Sequence, residues 1–138
     1  MRSIARLTNS YNVNTVSLTT GDRSTTIPIP PKPSGFGSNA SGGELLVLAL
    51  AACYCNDIYR EAARQGIEVT GVEVECGADF PAEGQAAGGI SYSARITAKA
   101  SETQIRELAR LTDQRAEIHA TVRAAIPVSL AEVDAIPA

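Results

Sequence analysis

Between Ser41 and Gly66 the chain carries one unbroken helical pattern whose first half is apolar almost all the way round. Ser41 and Glu44 have the S-x-x-E spacing of a capping box, in which each side chain bonds the other's free backbone amide. Gly66 supplies the residue that can turn left-handed and stop the helix. The helix so bounded runs from about Gly42 to Gln65. Its first half, ELLVLALAACYC, has no polar face, which implies burial on every side. Its second half, NDIYREAARQ, is amphipathic: Ile58 and Ala62 point inward, while Asp57, Arg60, Glu61 and Arg64 point outward and pair at i,i+3 spacing. One sheet cannot enclose a helix that is apolar all round. A second copy of the chain is therefore expected to cover the Leu45–Cys55 stretch, making an obligate homodimer.

The flanking segments set the fold class. The first 30 residues read as strands, with Val13, Val16 and Leu18 among Thr, Ser and Asn, and a turn at Gly21-Asp22. Pro28 to Gly43 carries too many prolines for a helix or a central strand and reads as an extended connector. Beyond Gly66, Val72, Val74 and Cys76 alternate with Glu73 and Glu75. Ile90, Tyr92, Ala94, Ile96 and Ala98 alternate with polar residues in turn, which predicts a half-buried hairpin. Ser101 and Gln104 form a second capping-box pattern, opening a helix with Ile105, Leu108 and Leu111 on one face. A shorter helix over about Ala116 to Ala125 and a last strand, Pro127–Leu130, are expected to follow. The class is α+β with a mainly antiparallel sheet, in a single domain over 1–138.

Charge and composition exclude several functions. A net charge of -3 argues against a nucleic-acid partner, which selects a basic surface. The longest apolar run is too short to cross a membrane, and the polar N-terminus lacks the apolar core of a secretory signal. Three cysteines do not make a disulfide framework, so a reducing, cytoplasmic setting is expected.

Cys53 and Cys55 lie two apart on a helix and project about 200° from each other, so they cannot share a metal or bridge. With one histidine, His119, in the whole chain, no metal site and no cofactor are expected. On the helical wheel Cys55 falls with Leu48, Ala51, Ala52, Ile58 and Tyr59, a core-like set. Cys53 falls between apolar residues and the polar Asn56 and Asp57, which suits a thiol at the lip of a pocket. Cys76 points with Val72 and Val74 into the sheet's core. Asp57, one turn on, would raise the Cys53 pKa if its carboxylate pointed that way, and activation would then need a cation from elsewhere.

The segment SGGELLVLALAACYCNDIYREAARQGIEVTGVEVEC resembles the central part of OsmC/Ohr-like proteins, with a Glu-Leu-Leu start, an Ala-Ala-Cys and a helix closing at Gly-Ile before a strand. The family's later Cys-Pro-Val-His-x-Thr-Leu-Arg corresponds to Ala116-Glu-Ile-His-Ala-Thr-Val-Arg123. The resemblance covers about residues 35 to 130. It implies an intertwined homodimer in which a curved, mainly antiparallel sheet wraps long buried central helices. It also implies thiol-dependent reduction of organic hydroperoxides, with Cys53 as the peroxidatic residue and an arginine and a glutamate beside it.

Several positions depart from the family pattern. The resolving-cysteine position is Ala116, and Glu117 stands where the family has proline. The family's catalytic glutamate aligns with Gly43, which leaves the adjacent Glu44 as the candidate; its other reading is the cap. Arg23, beside the Gly21-Asp22 turn, is the candidate arginine, and its other reading is a solvated turn residue. His119 matches a family position and also reads as structural. The expected function is a thiol redox protein with a one-cysteine cycle, in which an external thiol reductant attacks the Cys53 sulfenic acid. The alternative is a non-enzymatic protein that binds a small apolar molecule at the dimer interface.

Overall fold

Both capping boxes form. The Ser41 amide donates to Glu44 Oε1 at 2.9 Å and the Glu44 amide to Ser41 Oγ at 3.0 Å. The Ser101 amide donates to Gln104 Oε1 at 3.0 Å and the Gln104 amide to Ser101 Oγ at 3.2 Å. In this computed structural model, which describes residues 1–138, the first box opens α1 (Gly42–Gln65) and the second opens α2 (Glu102–Arg115). α1 ends where Gly66 takes φ +68°. There the Ile67 amide reaches back to the Ala62 carbonyl at 2.9 Å and the Gly66 amide to the Ala63 carbonyl at 3.2 Å, satisfying carbonyls the helix leaves free.

The chain is α+β, with antiparallel strands throughout. It gathers into two compact units, 1–46 and 47–138, with α1 beginning in the first and continuing in the second. In the first unit β1 (Ser3–Ser10), β2 (Val13–Thr20) and β3 (Arg23–Thr25) form a meander with the Gly21-Asp22 turn as expected. The proline-rich segment after it forms neither helix nor named strand. Since proline lacks an N–H, side-chain amides tie the segment down: Asn14 Nδ2 donates to the Ile29 carbonyl at 3.1 Å and to Ser38 Oγ at 2.8 Å.

In the second unit β4 (Val69–Asp79) and β5 (Gly89–Ala98) make the expected hairpin, with Cys76 opposite Tyr92 and Val72 opposite Ile96. Its apolar face, including Val72, Val74, Tyr92 and Ile96, packs on a core of Tyr54, Ile58 and Ala62 from α1 and Leu108 from α2. The Tyr54 hydroxyl donates to the Ala109 carbonyl at 2.8 Å and joins α1 to α2. A one-residue break at Ala116 separates α2 from α3 (Glu117–Arg123).

Three expectations are corrected. Within one chain α1 is buried along a single face, by Leu50, Tyr54, Asp57, Ile58, Glu61 and Ala62. Asp57 and Glu61 therefore point inward, not to solvent. Second, Cys55 is not a core residue: it is half-buried on the opposite face, beside Leu48 and Tyr59, which are 57% and 44% exposed. Third, Pro127–Leu130 forms no strand; Val128 is 98% exposed. The segment is rich in strand formers, but it pairs with no strand of the same chain.

Candidate active site around Cys53

At 3.6 residues per turn, Asp57 and Glu61 project within about 20° of Leu50, at the heart of the buried face. A carboxylate in such a place must be paired. Glu61 is fully buried and accepts from three guanidiniums: Arg60 Nε at 3.2 Å, Arg64 Nη1 at 3.0 Å and Arg115 Nη1 at 2.8 Å. Burial would raise its carboxyl pKa, but the arginines, Arg115 foremost, hold it below the ordinary carboxylate value. Asp57 takes Arg60 Nη1 at 3.1 Å, the i,i+3 pairing the sequence suggests. Its remaining oxygen, Oδ2, accepts from the Cys53 thiol at 3.6 Å.

The other groups around Cys53 come from α3. The break at Ala116 turns the chain so that Glu117 Oε1 also meets Arg60 Nη1, at 2.9 Å. Donor atoms of Cys53, Asp57 and Glu117 then lie within 4.8 Å of one another. The two carboxylates are held by a guanidinium, so the cluster is an ion-paired set and not a cage shaped for a cation.

The electrostatics keep the sulfur protonated. Burial pushes the Cys53 thiol above its ordinary pKa, and the charges of Asp57 and Glu117 push it further, against the Ile118 backbone amide that favours the thiolate. Asp57 is also raised, by burial, with Arg60 opposing. Glu117 is lowered, chiefly by its own backbone amide and then by Arg60. The two carboxylates are thus pushed in opposite directions, the buried one up and the exposed one down.

His119 lies behind this cluster, 4% exposed, with both ring nitrogens lacking a protein partner. Its ring centroid is 4.8 Å from that of Tyr92 and 5.9 Å from that of Tyr54. Burial, aided by Arg123, holds it neutral by lowering its pKa. Tyr92 in turn donates its hydroxyl to Asp113, which Arg123 Nη2 pairs at 2.7 Å. Ala116, at the position of the resolving cysteine in the resemblance, is fully buried and offers no thiol.

The other two candidates belong to the first unit. Arg23 opens β3, exposed and without an ion pair. Glu44 is exposed, and its carboxylate is engaged by the Ser41 amide, which lowers its pKa. Reading the sequence alone missed Glu117 as a neighbour of Cys53 and Arg60 as the cation that joins Glu117 to Asp57. Asp57 shares a helix face with Leu50, Tyr54 and Ile58, but a first half apolar all round left open which face would meet the core. Nothing local indicated Glu117, which arrives from a separate helix.

Residues 35–131 match the family model for OsmC-like proteins. No curated protein sequence matches the chain. Among solved structures the chain is similar to an OsmC-like protein from Mycoplasma pneumoniae, at 22% identity and TM-score 0.59 over 89% of each chain. It is similar to an organic hydroperoxide resistance protein OsmC from Legionella pneumophila, at 19% identity and TM-score 0.60, over 89% of this chain and 90% of that one. A third likeness, to an OsmC-like protein of unknown function from Vibrio cholerae, has 14% identity and TM-score 0.62 over 87% and 91%. At these identities the likeness is one of fold.

Proposed function

The chain belongs to the OsmC-like protein family, and from that premise we propose that it is a thiol-dependent redox protein that reduces small organic hydroperoxides through Cys53. The observation that carries this reading is the Cys53 thiol hydrogen-bonded to the Asp57 carboxylate at 3.6 Å, at the Ala-Ala-Cys of the family pattern. The sulfur attacks the O–O bond of the hydroperoxide; an alcohol leaves and Cys53 becomes a sulfenic acid. No second thiol of this chain completes the cycle: Ala116 holds the resolving position, Cys55 projects from the other side of α1 and Cys76 lies on β4. An external thiol therefore condenses with the sulfenic acid, releasing water, and a second thiol restores Cys53 as a disulfide departs. The exposed apolar row Leu48, Ala52 and Tyr59 on α1 supports a homodimer in which a second copy covers it.

Consumption of tert-butyl hydroperoxide with dithiothreitol tests the reading, alongside dimedone labelling of the oxidised protein. The wild type and Cys55→Ser are expected to turn over and Cys53→Ser to lose both turnover and label. Undiminished turnover in Cys53→Ser would sink the proposal. The upward push on the Cys53 thiol favours one other reading, a non-enzymatic protein binding a small apolar molecule between two copies. A hydrophobic compound released from the purified protein on denaturation, with no peroxide consumed, would decide for it.

A further inference from the structure

We propose that Asp57 carries the proton in the Cys53 reaction and that Arg60 is the positioning residue that holds Asp57 and Glu117 against the sulfur. The inference rests on the reading of Cys53 as the reacting thiol.

Four observations on α1 and α3 carry it. Asp57 is the acceptor of the Cys53 S–H, at 3.6 Å. Its side chain is 9% exposed, so bulk water is a poor substitute for it, whereas Glu117 is 65% exposed. Arg60 contacts both carboxylates with the same nitrogen, at 3.1 and 2.9 Å, which fixes Asp57 Oδ1 and leaves Oδ2 for the thiol. Burial makes Asp57 a stronger base than a surface aspartate. The charged and titratable groups facing the sulfur and its acceptor are Asp57 and Arg60 from α1 and Glu117 and His119 from α3.

The step balances without a further reactant. Asp57 takes the thiol proton as the sulfur's electron pair forms an S–O bond to the distal peroxide oxygen. The O–O bond breaks with its pair on the alkoxide, and Asp57 returns the proton to that oxygen. The products are a Cys53 sulfenic acid and an alcohol, with Asp57 again a carboxylate. An alkoxide is a strongly basic leaving group, so a proton held beside it lowers the barrier. The role differs from thiolate stabilisation, because the same carboxylate disfavours the thiolate at rest.

That opposition provides the test. Alkylation by iodoacetamide needs only an ionised sulfur, since iodide leaves without a proton. Peroxide cleavage needs the proton as well. Alkylation and tert-butyl hydroperoxide oxidation of Cys53 are followed by peptide mass spectrometry across pH in wild type, Asp57→Asn, Arg60→Gln and Arg60→Lys. Asp57→Asn is expected to alkylate several times faster at pH 7, because a charge is gone, yet to oxidise about a hundredfold more slowly. Arg60→Gln is expected to move the alkaline limb of both reactions to higher pH, with Arg60→Lys recovering most of the shift; this pair decides should Asp57→Asn not fold. Faster reaction of Asp57→Asn with both reagents, or limbs unmoved in Arg60→Gln, overturns the inference while leaving Cys53 as the reacting thiol. A wild type inert to hydroperoxide but readily alkylated overturns the function itself, and this inference with it.

Discussion

Ile58 and Tyr59 are neighbours on α1 with opposite surroundings, and truncating each in turn separates what one chain holds together from what a second copy would hold. Ile58 is 0% exposed, in the cluster that joins α1, the hairpin and α2. Ile58→Ala removes a buried side chain and leaves a cavity that the hairpin and α2 close only in part. The expected cost is about 2–5 kcal/mol. For a chain of this length each kcal/mol moves the melting temperature by roughly 4 °C, so the fall should be about 8–20 °C. Tyr59 is 44% exposed. In a monomer its truncation should cost well under half as much. If a second copy covers it, about 100 Å² of ring surface is buried on association. That area contributes about 2.5 kcal/mol per subunit at roughly 25 cal/mol per Å². Urea denaturation at protein concentrations a hundredfold apart distinguishes the cases, because the stability of a folded dimer depends on concentration. Loss below about 1 kcal/mol in Ile58→Ala would refute the core assignment. A mild effect of Tyr59→Ala with a concentration-independent midpoint would refute the homodimer.

Three further outcomes are expected. Tyr54→Phe keeps the ring packing but removes the donor to the Ala109 carbonyl, and urea denaturation should show a loss of about 1 kcal/mol. Glu61→Gln, which removes the charge shared by Arg60, Arg64 and Arg115, should lower the melting temperature clearly, whereas Glu73→Gln, 74% exposed on β4, should stay within about 0.5 kcal/mol of wild type. Acid stability follows from His119 and Glu61, both with pKa values lower in the fold than in the unfolded chain. Their stabilisation is full above the unfolded values and is lost as pH falls through the folded ones. Melting temperature should therefore begin to fall below about pH 6.5 through His119 and fall again in the carboxylate range. A profile flat from pH 7 to 5 in wild type, or unchanged in His119→Gln, would contradict the sign.

Much of the fold could be read from the sequence because the signals involved are local. A capping box needs two residues three apart, so Ser41–Glu44 and Ser101–Gln104 declared the starts of α1 and α2, and Gly66 declared the end of α1. Period-two alternation declared β4 and β5, since each residue's side follows from its parity alone. The position of Cys53 beside Asp57 was equally local, one helical turn apart. The C-terminal segment shows the limit of such reading: Pro127–Leu130 has strand-forming residues, but a strand is a pairing, and no neighbour pairs it.

What only the tertiary structure decided is the face of α1 that meets the core. A helix apolar around its whole first half has no preferred side, so the hairpin and α2 made the choice. By choosing the arc of Leu50, Tyr54 and Ile58 they took Asp57 and Glu61 inside and left Cys55 with Leu48 and Tyr59. Burying two carboxylates is tolerable only because Arg60 pairs Asp57 and because Arg115, more than 50 residues further along the chain, joins Arg60 and Arg64 on Glu61. The sequence by itself identified one thiol of interest and its acidic neighbour. The charge environment that sets how that thiol behaves is a property of the packed helices, because electrostatic pairing follows distance in space and not separation along the chain.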